Sequence, residues 1–158
     1  MNKEQKQDFT RRISQCNKGS MIVIIYDIIF AYLEDAKEAY QKQDKEAFKT
    51  AVRKADKGIL ELMQSLDFTY DLAKELYPLY VFCREELASC MYKYRLQELE
   101  EAEDILKRLY DSFEKVAAQD TSEPIMKNTQ QVYAGYTYGR DNLTENCQEF
   151  DKSRGFLV

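Results

Sequence analysis

The 158-residue sequence contains no histidine. Carboxylate-bridged di-iron sites in helical proteins are built from Glu-x-x-His motifs, so that chemistry is excluded. Proline and glycine are scarce, at two and five residues. No phosphate-cradling glycine loop, Walker sequence or Gly-x-Ser-x-Gly elbow occurs. The four cysteines, Cys16, Cys83, Cys90 and Cys147, show no C-x-x-C spacing, whereas a zinc site needs clustered ligands. Cys83 and Cys90 share a helical stripe and read as core residues. No apolar signal segment stands at the N-terminus, so the thiols read as reduced and the chain as cytoplasmic. The longest apolar run, Met21 to Ile25, is five residues, against the roughly 20 that a membrane span needs. Lys and Arg number 23 against 28 Asp and Glu, a net charge of −5, and no cationic stripe offers the footprint of phosphate-dominated nucleic-acid binding. These absences predict no enzyme, no metal or cofactor, no membrane insertion and no nucleic-acid partner.

What is present is 44% hydrophobic and 32% charged residues, the composition of a helix-rich globular protein with one core. Residues 1–17 are polar, with Phe9 and Ile13 as isolated apolar points, and read as a mobile N-terminal arm. From Lys18 to Gln43, Ile22, Ile25, Tyr26, Ile29 and Leu33 recur at three- and four-residue steps, predicting a long helix capped by Asn17. Met21, Val23, Ile24, Ile28 and Phe30 carry its apolar surface round to the other side, which marks a helix that is central or covered by a partner.

Asp44 caps a second predicted helix reaching Leu66, with Phe48, Val52, Ile59 and Leu62 on one stripe. A third follows a cap at Asp67 or Thr69 and carries Leu72, Leu76, Tyr80, Cys83, Leu87 and Met91. Pro78 interrupts it and predicts a kink or a fresh start there. A fourth, from Arg95 to Ala118, sets Leu99, Leu106, Leu109, Phe113 and Val116 inward, and its early Glu98, Glu100 and Glu101 complement the helix dipole. Tyr26, Tyr80 and Tyr110 read as core aromatics whose hydroxyls reach the rim. The expected architecture is an all-α antiparallel four-helix bundle over residues 18–118, with room for a further short helix from arm or tail. Residues 119–158 form a C-terminal extension whose cluster of Tyr133, Tyr136 and Tyr138 either docks on the bundle or serves as a binding peptide.

Four segments, in order, carry a resemblance: Met21-Ile22-Val23-Ile24-Ile25-Tyr26-Asp27, Glu61-Leu62-Met63-Gln64-Ser65-Leu66-Asp67, Leu76-Tyr77-Pro78-Leu79-Tyr80 and Leu109-Tyr110-Asp111-Ser112-Phe113. Over about Phe9 to Ala117 the chain resembles the FliS family of flagellar export chaperones. It departs from the family pattern at Gln15-Cys16-Asn17-Lys18, where the family has Thr-Ala-Ser-Pro, and at Ile28, where the family has glycine.

The resemblance implies a cytosolic chaperone that binds the disordered C-terminal segment of flagellin and prevents its premature polymerisation, with the flagellar export machinery as a further partner. The apolar positions in and around the matching motifs, together with the arm anchors, give a candidate partner-binding set of Phe9, Ile13, Ile22, Ile25, Tyr26, Ile29, Leu66, Leu76 and Tyr80. The alternative is a helical-bundle adaptor or regulatory protein that self-associates or binds another helix through the same apolar face.

Overall fold

The computed structural model describes residues 1–126. It contains five helices, α1 (Lys3–Gln15), α2 (Lys18–Gln41), α3 (Lys45–Gln64), α4 (Asp71–Lys93) and α5 (Gln97–Ala117), and no strand among the described residues. The protein is all-helical over this range. Tyr133, Tyr136, Tyr138 and Cys147 lie outside the described residues.

Helix starts follow local chemistry. Asn17 Oδ1 accepts the Ser20 N–H at 2.9 Å and Asp44 Oδ1 accepts the Ala47 N–H at 2.9 Å, so α2 and α3 begin at the caps the sequence marks. The start of α4 differs. Asp67 accepts the Thr69 N–H at 3.0 Å and the Thr69 hydroxyl at 2.7 Å, which spends its carboxylate on a turn. The helix starts only after Tyr70, without a side-chain cap.

Pro78 neither starts nor splits α4, which runs continuously through it. Proline removes the hydrogen bond to the carbonyl four residues back, here that of Lys74. Lys74 and Pro78 both lie on the exposed face, where water can satisfy the freed carbonyl.

The arm read as mobile is the helix α1. Asn2 Oδ1 accepts the Gln5 N–H and Gln5 Oε1 accepts the Asn2 N–H, both at 2.8 Å, a reciprocal capping box that a polar segment supports without any apolar stripe. Among the helices, α1 packs on α2 alone. Arg12 pairs with Asp27 and the Met1 amino group with Asp35, so α1 runs back along α2.

Helix α2 also packs against α3 and α5, and α4 against the same two. The common core includes Tyr26, Ile29 and Leu33 of α2, Phe48, Val52 and Ile59 of α3, Tyr80, Cys83 and Leu87 of α4, and Leu99 and Leu106 of α5. Each such large side chain contributes about 1.5–3 kcal/mol relative to exposure. Gly58 lets α3 approach α2 closely, since a Cβ there would stand 2.5 Å from Ile29 Cγ1. In the middle of the core the Tyr26 and Tyr80 hydroxyls share a hydrogen bond of 2.7 Å. Around it, Asp56 holds Arg84 through two contacts of 2.6 and 3.2 Å between α3 and α4, and Glu103 of α5 meets Lys37 of α2 at 2.7 Å.

At one end, Tyr40 closing α2, Phe48 opening α3 and Tyr94 after α4 pack together, with ring centroids of Tyr94 4.9 Å from Tyr40 and 5.1 Å from Phe48. Tyr94 takes the left-handed conformation, φ 54°, and its N–H donates to the Cys90 carbonyl at 2.9 Å, ending α4 as a glycine would. For a bulky residue that conformation costs about 1–2 kcal/mol. Burying the ring against two aromatics and under the Lys45 ammonium, 5.1 Å away, offsets it.

Candidate partner-binding site

The opposite end is open. The first turns of α2, the last of α3, the first of α4 and the last of α5 surround a depression of about 170 Å³. Ile22, Leu62, Leu66, Leu72, Leu76 and Phe113 make its apolar walls, Tyr80 lies within it, and Ser65, Asp67 and Tyr70 add the polar groups. It exists because the α3–α4 connection is long and α4 begins late. The Asp67 turn leaves Tyr70 exposed while Leu66 packs half-buried against the core, and no side chain of the described residues fills the space between them.

Apolar surface continues outward from this mouth. Leu72 is 60% exposed and Tyr70 68% exposed, and Phe68, Tyr77, Leu79 and Phe82 are exposed as well. Phe68 and Tyr77 pack edge to face at 5.7 Å. Leu72, Leu79 and Phe82 follow each other at steps of seven and three, so they form a second stripe on α4 beside the buried one of Ala73, Leu76, Tyr80 and Cys83.

The candidate residues divide into three groups. Ile22, Leu66, Leu76 and Tyr80 come together in the depression. Tyr26 and Ile29 are fully buried in the core, Tyr26 behind Tyr80 and Ile29 against Gly58, and so present no surface of their own; Ile25 is half-buried against the same core. Phe9 and Ile13 are half-buried on α1, with the Arg12 guanidinium 5.6 Å from the Phe9 ring centre. Of the Ile-rich opening of α2, Ile24 is buried and Ile22, Val23 and Ile28 stay partly open.

Leu72, expected inside, belongs to the rim, because it stands in the first turn of α4, beyond the reach of the other helices, and Ala73 takes the core position. Val116 is likewise exposed, near the end of α5. Tyr70, Leu72 and Phe113 were not among the candidate residues. A signal for Leu72 is present in the chain: α4 carries more apolar residues than one stripe can bury. Phe113 stood in the fourth matching motif.

The depression is lined mostly by apolar side chains, with the Asp67 carboxylate at its rim. Hydrogen bonds from the Thr69 backbone and hydroxyl hold the Asp67 carboxyl below the usual carboxylate range, so the rim is anionic at neutral pH. Burial pushes the Cys83 thiol up to about 12 and the Cys90 thiol likewise to about 12; both are protonated and poor nucleophiles. Burial, then the neighbouring Tyr80, pushes the Tyr26 phenol far above its ordinary value. Among the described residues no group of His, Cys, Asp or Glu is arranged to hold a metal, and no helix is long and apolar enough to cross a membrane.

The family model for flagellar protein FliS matches residues 1–120. No curated protein matches the chain.

Proposed function

The chain belongs to the FliS family of flagellar proteins, and on that premise we propose that it is an export chaperone which binds the disordered C-terminal segment of flagellin in the cytoplasm. Held there, the segment is kept from polymerising before export, and the export machinery is the further partner. The protein acts by binding, not catalysis, and with no cofactor.

The observation that carries this reading is the apolar depression with its exposed continuation along α4. Its volume, about 170 Å³, is below the roughly 300–1,000 Å³ of small-molecule sites. It is close to the roughly 150 Å³ cavity that accommodates a benzene ring. That is room for one aliphatic or aromatic side chain, the anchor of an amphipathic helix laid into a groove. Ile22, Leu66, Leu76 and Tyr80 are the direct contacts in this reading, Ile25, Tyr26 and Ile29 support them from behind, and Leu72 and Phe82 extend the track. A disordered segment loses entropy on ordering, and burial of this surface on both partners offsets that loss.

In the same reading α2 to α5 form an antiparallel four-helix bundle over residues 18–118, residues 1–17 are an arm and residues 119–158 an extension. Phe9 and Ile13 anchor the arm, which competes with the client for α2.

Calorimetry with an isolated flagellin C-terminal peptide is the test. One-to-one binding with a negative heat-capacity change is expected, and deleting Met1 to Gln15 should tighten it. Absence of heat, together with concentration-dependent self-association that Leu72→Asp abolishes, would replace the chaperone reading with a self-pairing adaptor.

A further inference from the structure

The connection between α1 and α2 is only Cys16 and Asn17, both extended, and it is gripped from the far end of the domain. After α5 the chain turns at Asp120 and passes over this junction. Asn17 Nδ2 donates to the Asp120 carbonyl at 2.9 Å, the Gly19 N–H donates to Asp120 Oδ2 at 3.0 Å, and the Ile125 N–H donates to the Cys16 carbonyl at 2.9 Å. The other carboxylate oxygen, Asp120 Oδ1, accepts the Ser122 N–H at 2.9 Å, which folds the strap into shape.

Two features of α2 fit this contact and are otherwise unexplained. Its first turn has no acidic residue and begins with Lys18, the wrong sign for the positive end of the helix dipole. Asp120 supplies the missing negative charge and takes one of the N–H groups the helix leaves unpaired. The residue facing Asp120 is glycine, and a Cβ at Gly19 would lie 2.8 Å from Asp120 Oδ2 and 3.3 Å from the Ala117 Cα. Only a residue without a side chain lets the end of α5 come this near.

Away from this junction, helix α1 is held on α2 by the Arg12–Asp27 and Met1–Asp35 ion pairs and by little burial. It touches no other helix than α2 among the described residues, only Ser14 along its length is buried, and Phe9 and Ile13 are half-exposed. Part-exposed ion pairs contribute modestly, so its orientation depends on its junction as well as on them. We infer that residues 120–125 are a latch on this hinge, with Asp120 as its bolt, and that opening the latch frees α1 to leave the face of α2. Freeing α1 uncovers the face of α2 for which arm and client compete in the reading above, and the inference rests on that reading only in this last step.

Hydrogen exchange of the full chain, without any client, tests the latch. In Asp120→Ala, amides of residues 3–15 should exchange about fivefold faster or more, while those in the middle of α3 and α4 keep their rates. Gly19→Ala, which pushes the strap off from the other side, should do the same. Unchanged exchange of α1 in both variants overturns the latch, and so does acceleration spread equally over all five helices. Titrating the flagellin C-terminal peptide then separates the two claims. A faster-exchanging α1 in a protein that ignores the peptide keeps the latch and removes the chaperone reading. Peptide binding with α1 exchange unchanged keeps the chaperone and removes the latch.

Discussion

The two ends of the helical domain are made from the same helices and differ in what their connections do. Where α2 meets α3 and α4 meets α5, the links are short, Asp44 caps directly, and Tyr94 accepts a strained backbone so that its ring can lie between Tyr40 and Phe48. At the other end the α3–α4 link spans several residues, Asp67 ties a turn instead of capping a helix, and Phe68, Tyr70 and Leu72 remain outside. One end uses its aromatics on itself and the other offers them. On the proposed function, stability and binding are thereby assigned to different places, so each can be altered without the other.

Substitutions at the closed end should change stability alone. Phe48→Ala removes a fully buried ring and is expected to cost about 3–5 kcal/mol, read by urea unfolding, while peptide affinity measured well below the new midpoint stays within twofold of the original, by the additivity of distant sites. In the core behind the open end, a smaller loss of stability comes from Tyr26→Phe, which orphans the Tyr80 hydroxyl and should cost about 1–3 kcal/mol; adding Tyr80→Phe should return part of that loss. If the double variant is as unstable as the sum of the single ones, the shared hydrogen bond is not what the pair contributes.

The open end gives the reverse pattern. Leu72→Ala should leave unfolding within about 0.5 kcal/mol and weaken flagellin-peptide binding tenfold or more, about 1.4 kcal/mol. A large stability loss without loss of affinity would erase the distinction between the ends.

Smallest is the effect at Glu103, between α2 and α5. Burial raises its carboxyl, but hydrogen bonds and charges from Lys37 and Lys107 outweigh that and hold it below the ordinary value. A carboxylate held low stabilises the fold above its unfolded value, about 4.3, and loses that contribution as pH falls through the folded one. Glu103→Gln should therefore cost about 1 kcal/mol at pH 7, and the difference from the parent should shrink as pH falls below about 4.3 and be lost below the folded value.

Much of the fold was legible because its determinants are local. Asn17 and Asp44 cap where their side chains meet free N–H groups, and the stripes Phe48-Val52-Ile59 and Tyr80-Cys83-Leu87 are buried as periodicity requires. Helix α1 was allowed for only as a further short helix from arm or tail, because its signal is polar, a capping box of Asn2 and Gln5, while periodicity weighs apolar residues. Pro78 does not start a new helix, because the carbonyl it frees faces water. The site was half legible. Ile22, Leu66, Leu76 and Tyr80 lie in apolar motifs and do meet, but Leu72 and Phe113 join them only through the late start of α4 and the juxtaposition of distant helix ends. Asp120, more than a hundred residues from Gly19, carries no local mark of its role.

The Tyr26 and Tyr80 hydroxyls satisfy each other in a setting that offers neither an alternative. Losing one strands the other, whereas losing both leaves two rings packed in an apolar interior. Descent through single substitutions must cross the unfavourable intermediate. Across the lineage these two positions should therefore be inherited as a couple, tyrosine with tyrosine or phenylalanine with phenylalanine, with mixed sequences rare.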